Sequence, residues 1–183
     1  MEHATLGGGC FWCLDAAFRD VAGVSEVVSG YAGGHVDDPS YEQVCGKQTG
    51  HAEVVRLAFD PAVVSYADLL RMFFTLHDPT TKDRQGADIG PQYRSILLAE
   101  TPEQLEAARQ VIAEVEQAAI WNGRPVTELV SAGAFFPAEA EHQDYFNRNP
   151  WSGYCRAVIA PKVGKFRKSF ASRLSRVGGL NHG

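Results

Sequence analysis

The stretch Gly9-Cys10-Phe11-Trp12-Cys13 is the part of the chain whose residue types and spacing suggest chemistry most directly. The residues after Cys10 follow helical spacing, which puts Cys10 at a helix start. There, unpaired backbone N–H groups and the positive end of the helix dipole favour a thiolate. A thiolate is a nucleophile and a metal ligand. Two cysteines separated by two residues also read as a thioredoxin-like redox pair or as half of a zinc site. Zinc needs two further ligands, and Cys45 and Cys155 stand in no second Cys-x-x-Cys or spaced-histidine pattern. Redox pairs of the thioredoxin type usually enclose Gly-Pro, whereas Phe11 and Trp12 are bulky rings, suited to wall a pocket for a small apolar group or to pack a helix. The bland alternative for Cys10 is a small buried hydrophobe.

Glu53 is the second candidate. By the period-2 rule it shares a strand face with Val55, Leu57 and Phe59, while Arg56 lies on the opposite face. A carboxyl group on an apolar face is desolvated, its pKa rises, and it can serve as an acid; a solvated Glu53 at the strand end is the alternative. Tyr41, Asp88 and Tyr93 are individually weak signals, since tyrosines commonly pack in cores with a wet hydroxyl and Asp88-Ile89-Gly90 fits a turn. His142 follows Glu139 by three residues, but no second Glu-x-x-His completes a di-metal site, which leaves a hydrogen-bonded structural histidine. Cys155 lies in Ser152-Gly153-Tyr154-Cys155, just after Pro150, and reads as a mobile loop cysteine able to reach a distant thiol.

The elements that must position these groups follow from pattern and punctuation. Helical spacing runs from Phe11 to Val21, a strand from Val24 to Tyr31, a helical turn near Ser40 to Cys45, and a strand from His51 to Phe59. Ser65-Tyr66-Ala67-Asp68 opens an apolar helix that His77-Asp78-Pro79 closes. Arg94 to Ala99 is a short strand; Thr101-Pro102 caps a helix whose stripe of Leu105, Ala108, Ile112, Val115 and Ala119 is expected in the core. Val126 to Val130 reads as a strand, Ala138 to Phe146 as a helix, and the basic Lys162 to Arg176 as a terminal helix. This mixture gives a layered α+β or α/β domain.

At 183 residues with no repeat, charge block or linker, the chain reads as a single domain, 1–183, with a loop-rich, basic C-terminal segment from about residue 147. Four cysteines are too few for a disulfide scaffold, and a core of this size does not need one. The net charge of −5 argues against a nucleic-acid footprint. The start Met1-Glu2-His3 lacks the basic region of a signal peptide, and no apolar run is long enough to span a membrane. The expectation is a cytoplasmic protein, monomeric by default.

Six ordered segments resemble the A-type peptide methionine sulfoxide reductases. They are Gly8-Gly9-Cys10-Phe11-Trp12, Gly30-Tyr31-Ala32-Gly33-Gly34, Gly50-His51-Ala52-Glu53, His77-Asp78-Pro79-Thr80-Thr81, Asp88 to Ser95, and Ala138 to Tyr145. The resemblance covers nearly the whole chain. It implies Cys10 as nucleophile, Phe11 and Trp12 as cradle for the substrate methyl group, and Glu53 as acid. Tyr41 and Tyr93 would donate to the sulfoxide oxygen, with Asp88 and His142 in support. It also implies a two-layer α+β sandwich with a ferredoxin-like core and a mixed sheet, extended by an irregular C-terminal segment. The implied reaction reduces the S epimer of methionine sulfoxide, free or in oxidised proteins. Cys10 is left as a sulfenic acid, a second thiol closes a disulfide, and thioredoxin reduces it; no metal or organic cofactor is implied. Many relatives have glycine at the position of Cys13, and many carry a further recycling cysteine in a Gly-rich tail. Here Arg156 to Lys162 runs into a basic segment instead, so the resolving role falls between Cys155 and Cys13, with the tight ring of an i, i+3 pair favouring Cys155. Cys45 is expected to be structural.

Overall fold

The computed structural model describes residues 1–175. In chain order the elements are β1 (Glu2–Gly7), α1 (Phe11–Phe18), β2 (Val24–Ala32), α2 (Tyr41–Cys45), β3 (Ala52–Phe59), α3 (Tyr66–Leu76), β4 (Arg84–Gln85) and β5 (Asp88–Ile89). There follow β6 (Ile96–Ala99), α4 (Pro102–Gln117), β7 (Glu128–Ser131), β8 (Phe135–Pro137), α5 (Tyr145–Arg148) and α6 (Ala160–Ser169). The architecture is mixed α+β, as expected.

Six strands form one sheet in the order β7-β6-β1-β3-β2-β8, and β4 and β5 make a separate short hairpin. All pairs in the large sheet are antiparallel except β6 with β7, which run parallel from Ile96↔Glu128 to Ala99↔Ser131. The central strand β3 is buried on both faces. Val55, Leu57 and Phe59 join the main core, while Ala52 and Val54 pack with Ile96 and Leu98 on the reverse side. Arg56 faces the reverse side as expected, its guanidinium 5.9 Å from the Phe135 ring centroid. Helices α1, α3, α4 and α6 supply the main core through residues such as Phe11, Leu14, Phe73, Phe74, Val111 and Phe166. Each large side chain so buried contributes about 1.5–3 kcal/mol.

The helix starts match their sequence signals. Ser65 Oγ accepts from the Asp68 N–H at 3.0 Å, Thr101 Oγ1 from the Gln104 N–H at 3.1 Å, and Ser40 with Gln43 forms a reciprocal capping box.

Four expectations are corrected. Helix α1 stops at Phe18, and Val21 instead bridges Leu174, so the C-terminal end of the described chain returns to the end of α1. The buried stripe of α4 is Gln104, Ala108, Val111 and Val115; Leu105 and Ile112 lie at its margin and Ala119 is exposed beyond the helix. The stripe is rotated because Gln104 binds inward, donating to the His3 carbonyl and accepting from the Glu100 N–H. Ala138 to Phe146 is not one helix: a single turn at Ala140–His142 precedes α5, and Asp144, left-handed at φ 51° and ψ 39°, breaks between them. Finally, the segment from 147 is neither loop-rich nor irregular. A π-helical turn at Cys155–Ile159 continues into α6, because Cys155, Ile159, Val163 and Phe166 present a buried edge. Of the expected terminal helix, Ala160–Ser169 is formed, and Arg176 lies outside the described residues.

Candidate active site

The glycine run carries the chain from β1 into α1 through a gap that side chains would close. A Cβ on Gly8 would lie 2.7 Å from the His77 ring, and Gly9 takes φ +86°, with its N–H donating to the Tyr93 carbonyl at 3.1 Å. The turn delivers Cys10 to the N-cap position of α1, extended at φ −62° and ψ 128°. Glu53 on the facing strand β3 is 1% exposed, and its Oε1 accepts the Phe11 N–H at 3.2 Å. Thiol and carboxyl therefore meet over the first turn of one helix.

Burial pushes the Glu53 pKa up to about 8; the Phe11 N–H opposes the shift and the Asp88 charge adds to it. Glu53 is thus a neutral acid at pH 7. Sequence reasoning also expected a favoured thiolate at Cys10, and the structure reverses this. Burial first, then the Glu53 charge, raises the Cys10 thiol well above its ordinary range, against which the Trp12 N–H works. One helix terminus does not offset full desolvation of the sulfur.

The other expected residues converge on the same place. Glu53 raises the pKa of both Tyr41 and Tyr93, after burial as the main cause, so both phenols are protonated donors. Tyr41 lies against His142, ring centroids 4.4 Å apart, and His142 Nδ1 accepts the Trp12 indole N–H at 3.3 Å. Phe11 lies beside Tyr31 and His142 at 5.7 and 5.6 Å. Asp88 Oδ2 accepts from the Tyr154 hydroxyl at 2.7 Å. Cys45 is half-buried and its thiol borders Tyr41.

The remaining cysteines contradict one expectation. Cys155 is fully buried rather than on a mobile loop; its N–H is capped by Ser152 Oγ at 3.1 Å. It packs with Cys13, Ala16, Ile159 and Val163 in a cluster separate from the core that contains Cys10. Cys13 is raised to about 11 by burial, with Lys162 opposing.

Sequence reasoning missed Tyr145 and Tyr154 and weighed Glu139 only as a metal ligand beside His142. Tyr145 stacks on Trp12, centroids 3.7 Å apart and planes 8° from parallel. Glu139 braces the site, accepting from the Tyr31 hydroxyl and the Tyr41 N–H, both at 3.0 Å. Tyr154, 66 residues further along the chain, holds Asp88. The density of aromatics between Tyr145 and Tyr154 was the only available signal. Glu139, Glu141 and His142 bring potential metal-ligand atoms within 4.8 Å of one another. Both Glu139 oxygens are already engaged, however, and His142 Nδ1 accepts the Trp12 indole N–H, while its buried Nε2 has no hydrogen-bond partner among the described residues. Glu139 therefore acts as a brace, and His142 is held through one ring nitrogen.

The profile of the peptide methionine sulfoxide reductase family matches residues 2–174. The peptide methionine sulfoxide reductase MsrA of Granulibacter bethesdensis is 53% identical over 182 residues, covering 100% of this chain and 98% of that protein. Among solved structures, Mxr1 from Saccharomyces cerevisiae in reduced form superposes with a TM-score of 0.79 at 33% identity, over 84% of this chain and 88% of that one. Mxr1 in complex with Trx2 matches with a TM-score of 0.56 at 25% identity, over 79% of this chain and 84% of that one. The buried thiol, the neutral buried acid and the aromatic enclosure agree with these likenesses: the chain belongs to the peptide methionine sulfoxide reductase family.

Proposed function

We propose that this enzyme reduces the S epimer of methionine sulfoxide to methionine, in oxidised proteins and as the free amino acid, through attack of Cys10 on the sulfoxide sulfur. The observation that carries the mechanism is the meeting of Cys10 and a neutral Glu53 at the first turn of α1, beneath Phe11 and Trp12. A sulfoxide sulfur is electrophilic once its oxygen is protonated or hydrogen-bonded. Glu53 gives its proton to the sulfoxide oxygen, to which Tyr41 and Tyr93 also donate hydrogen bonds, and the proton leaving Cys10 returns to the Glu53 carboxylate, so that one proton passes in net from the thiol to the oxygen. The aromatic wall holds the methyl group. Collapse releases methionine and leaves a sulfenic acid on Cys10.

A second thiol then condenses with the sulfenic acid, forming a disulfide and water. Cys13 shares the first turn of α1 with Cys10, and Cys155 packs beside Cys13. In place of the direct resolution by Cys155 that the sequence favoured, this supports an order in which Cys13 resolves Cys10 and Cys155 then attacks Cys13, returning Cys10 as a thiol. The last disulfide passes to an external dithiol; the complex of Mxr1 with Trx2 favours thioredoxin in that role. Mass mapping of the protein quenched after one equivalent of sulfoxide tests the order. A Cys10–Cys13 bond preceding Cys13–Cys155 is expected, and a first bond between Cys10 and Cys155 would overturn it.

The arrangement β1–α1–β2–β3–α3–β6, with β3 between β1 and β2 and β6 on the far side of β1, supports a ferredoxin-like core with its helices in one layer. We read the chain as one domain and as a monomer. Four free thiols suit the reducing conditions of the cytoplasm.

A further inference from the structure

Asp15 lies one helical turn beyond Phe11 and Trp12 on α1 and takes no part in the reaction described above. Its side chain is 1% exposed, and burying a carboxylate is strongly unfavourable unless it is paired and hydrogen-bonded. Its partners show what the burial serves. Arg19 forms an ion pair with it, the Ser29 hydroxyl donates to Oδ2 at 3.1 Å, and the backbone N–H of Asp144 donates to the same oxygen at 3.0 Å.

Asp144 is the left-handed residue that interrupts the expected helix. A residue with a Cβ holds that conformation when its surroundings enforce it. Gln143, just before it, is tied to β2: its Oε1 accepts the Ser29 N–H and its Nε2 donates to the Ser29 carbonyl, both at 2.9 Å. Two successive residues are thus clamped to α1 and β2. Immediately outside the clamp stand His142, which accepts the Trp12 indole N–H, and Tyr145, which stacks on the Trp12 ring.

We propose that Asp15 is a positioning residue for substrate recognition: by holding Asp144 in its left-handed turn it fixes His142 and Tyr145 around Trp12 and so sets the wall that receives the substrate methyl group. The inference rests on the sulfoxide reductase reading and deepens it. Asp15 touches no reacting atom, so its effect falls on KM rather than on the chemical step.

The test is single-turnover and steady-state kinetics on a peptide containing methionine S-sulfoxide. Asp15→Ala leaves the Asp144 N–H without its acceptor and is expected to raise KM about tenfold, with the rate at saturation within about threefold of the parent. Asp15→Asn keeps an acceptor oxygen and should restore most of the KM. Asp144→Val leaves Asp15 intact but both disfavours the left-handed backbone and removes the Asp144 carboxylate from Arg19 and Asn147, whereas Asp144→Gly removes the same carboxylate and keeps that backbone accessible. Asp144→Val should raise KM as Asp15→Ala does and Asp144→Gly should not, and this pair decides the matter if Asp15→Ala does not fold. A folded Asp15→Ala or Asp144→Val enzyme with unchanged KM overturns the inference, as does a loss confined to the saturated rate. Absence of turnover by the unaltered enzyme would instead overturn the reductase reading, and this inference with it.

Discussion

At the scale of single residues, burial keeps both Cys10 and Glu53 protonated in the resting site, where a solvent-exposed glutamate would be ionised at pH 7. Glu53, with a pKa of about 8, holds its proton at pH 7, and Cys10 rests as a buried thiol. The rate of sulfoxide reduction in a single turnover should therefore fall as pH rises through about 8, where Glu53 ionises. Replacing the acid should cost about 10²–10⁴ in that rate, and stopped-flow traces of Glu53→Gln should lose the inflection near pH 8. An unchanged inflection in that variant would assign it to another group. The acid was legible as a candidate because Glu53 shares the strand face of Val55, Leu57 and Phe59; the same pattern also allowed a solvated strand end, and its 1% exposure decides for desolvation. The thiolate was not, because helix position says nothing about how deeply the sulfur is buried.

At the scale of elements, local signals and tertiary contacts divide the account. Ser65, Thr101 and Ser40 cap their helices as their sequence neighbours require. Ser65→Ala should lower stability by about 1 kcal/mol in denaturant titration while leaving KM unaltered, since α3 touches no substrate group. The misread elements are those whose form is set by distant partners. Ala138 to Phe146 has helical composition, but Gln143 and Asp144 bond to Ser29 and Asp15, more than a hundred residues away in sequence. The α4 stripe was likewise displaced by a Gln104 side chain that binds the His3 carbonyl. Gly153 and Pro150 suggested a loop around Cys155, whereas packing against Cys13 and Ala16 drew that segment into a helical turn. Sequence periodicity could therefore locate Cys10, Glu53 and the aromatic pair, but not Tyr145, Tyr154 or the bracing role of Glu139, which arise only through the fold.

At the scale of the whole molecule, two buried titratable groups tie stability to pH in opposite directions. His77 accepts burial between the Phe73 carbonyl and Ser95 Oγ, both at 2.8 Å, and desolvation lowers its pKa from 6.5 to about 4. Below pH 6.5 the unfolded chain binds the proton that the folded one refuses, so stability is lost as pH falls from 6.5 towards 4. Glu53 acts the other way: its folded pKa is raised from 4.5 to about 8, so its contribution is full below 4.5 and is lost as pH rises to 8. Urea midpoints across pH should show Glu53→Gln losing less stability than the parent between pH 5 and 8, a range inside that titration window. A parallel decline in the two proteins would contradict the burial of a protonated Glu53. Keeping an acid neutral at the site thus makes the fold less stable at the pH where the acid is useful. The most direct test of the central claim is the yield of methionine from methionine S-sulfoxide, measured by chromatography with a dithiol reductant present. The unaltered protein should convert the S epimer and Cys10→Ser should convert none; turnover retained in Cys10→Ser would contradict the account.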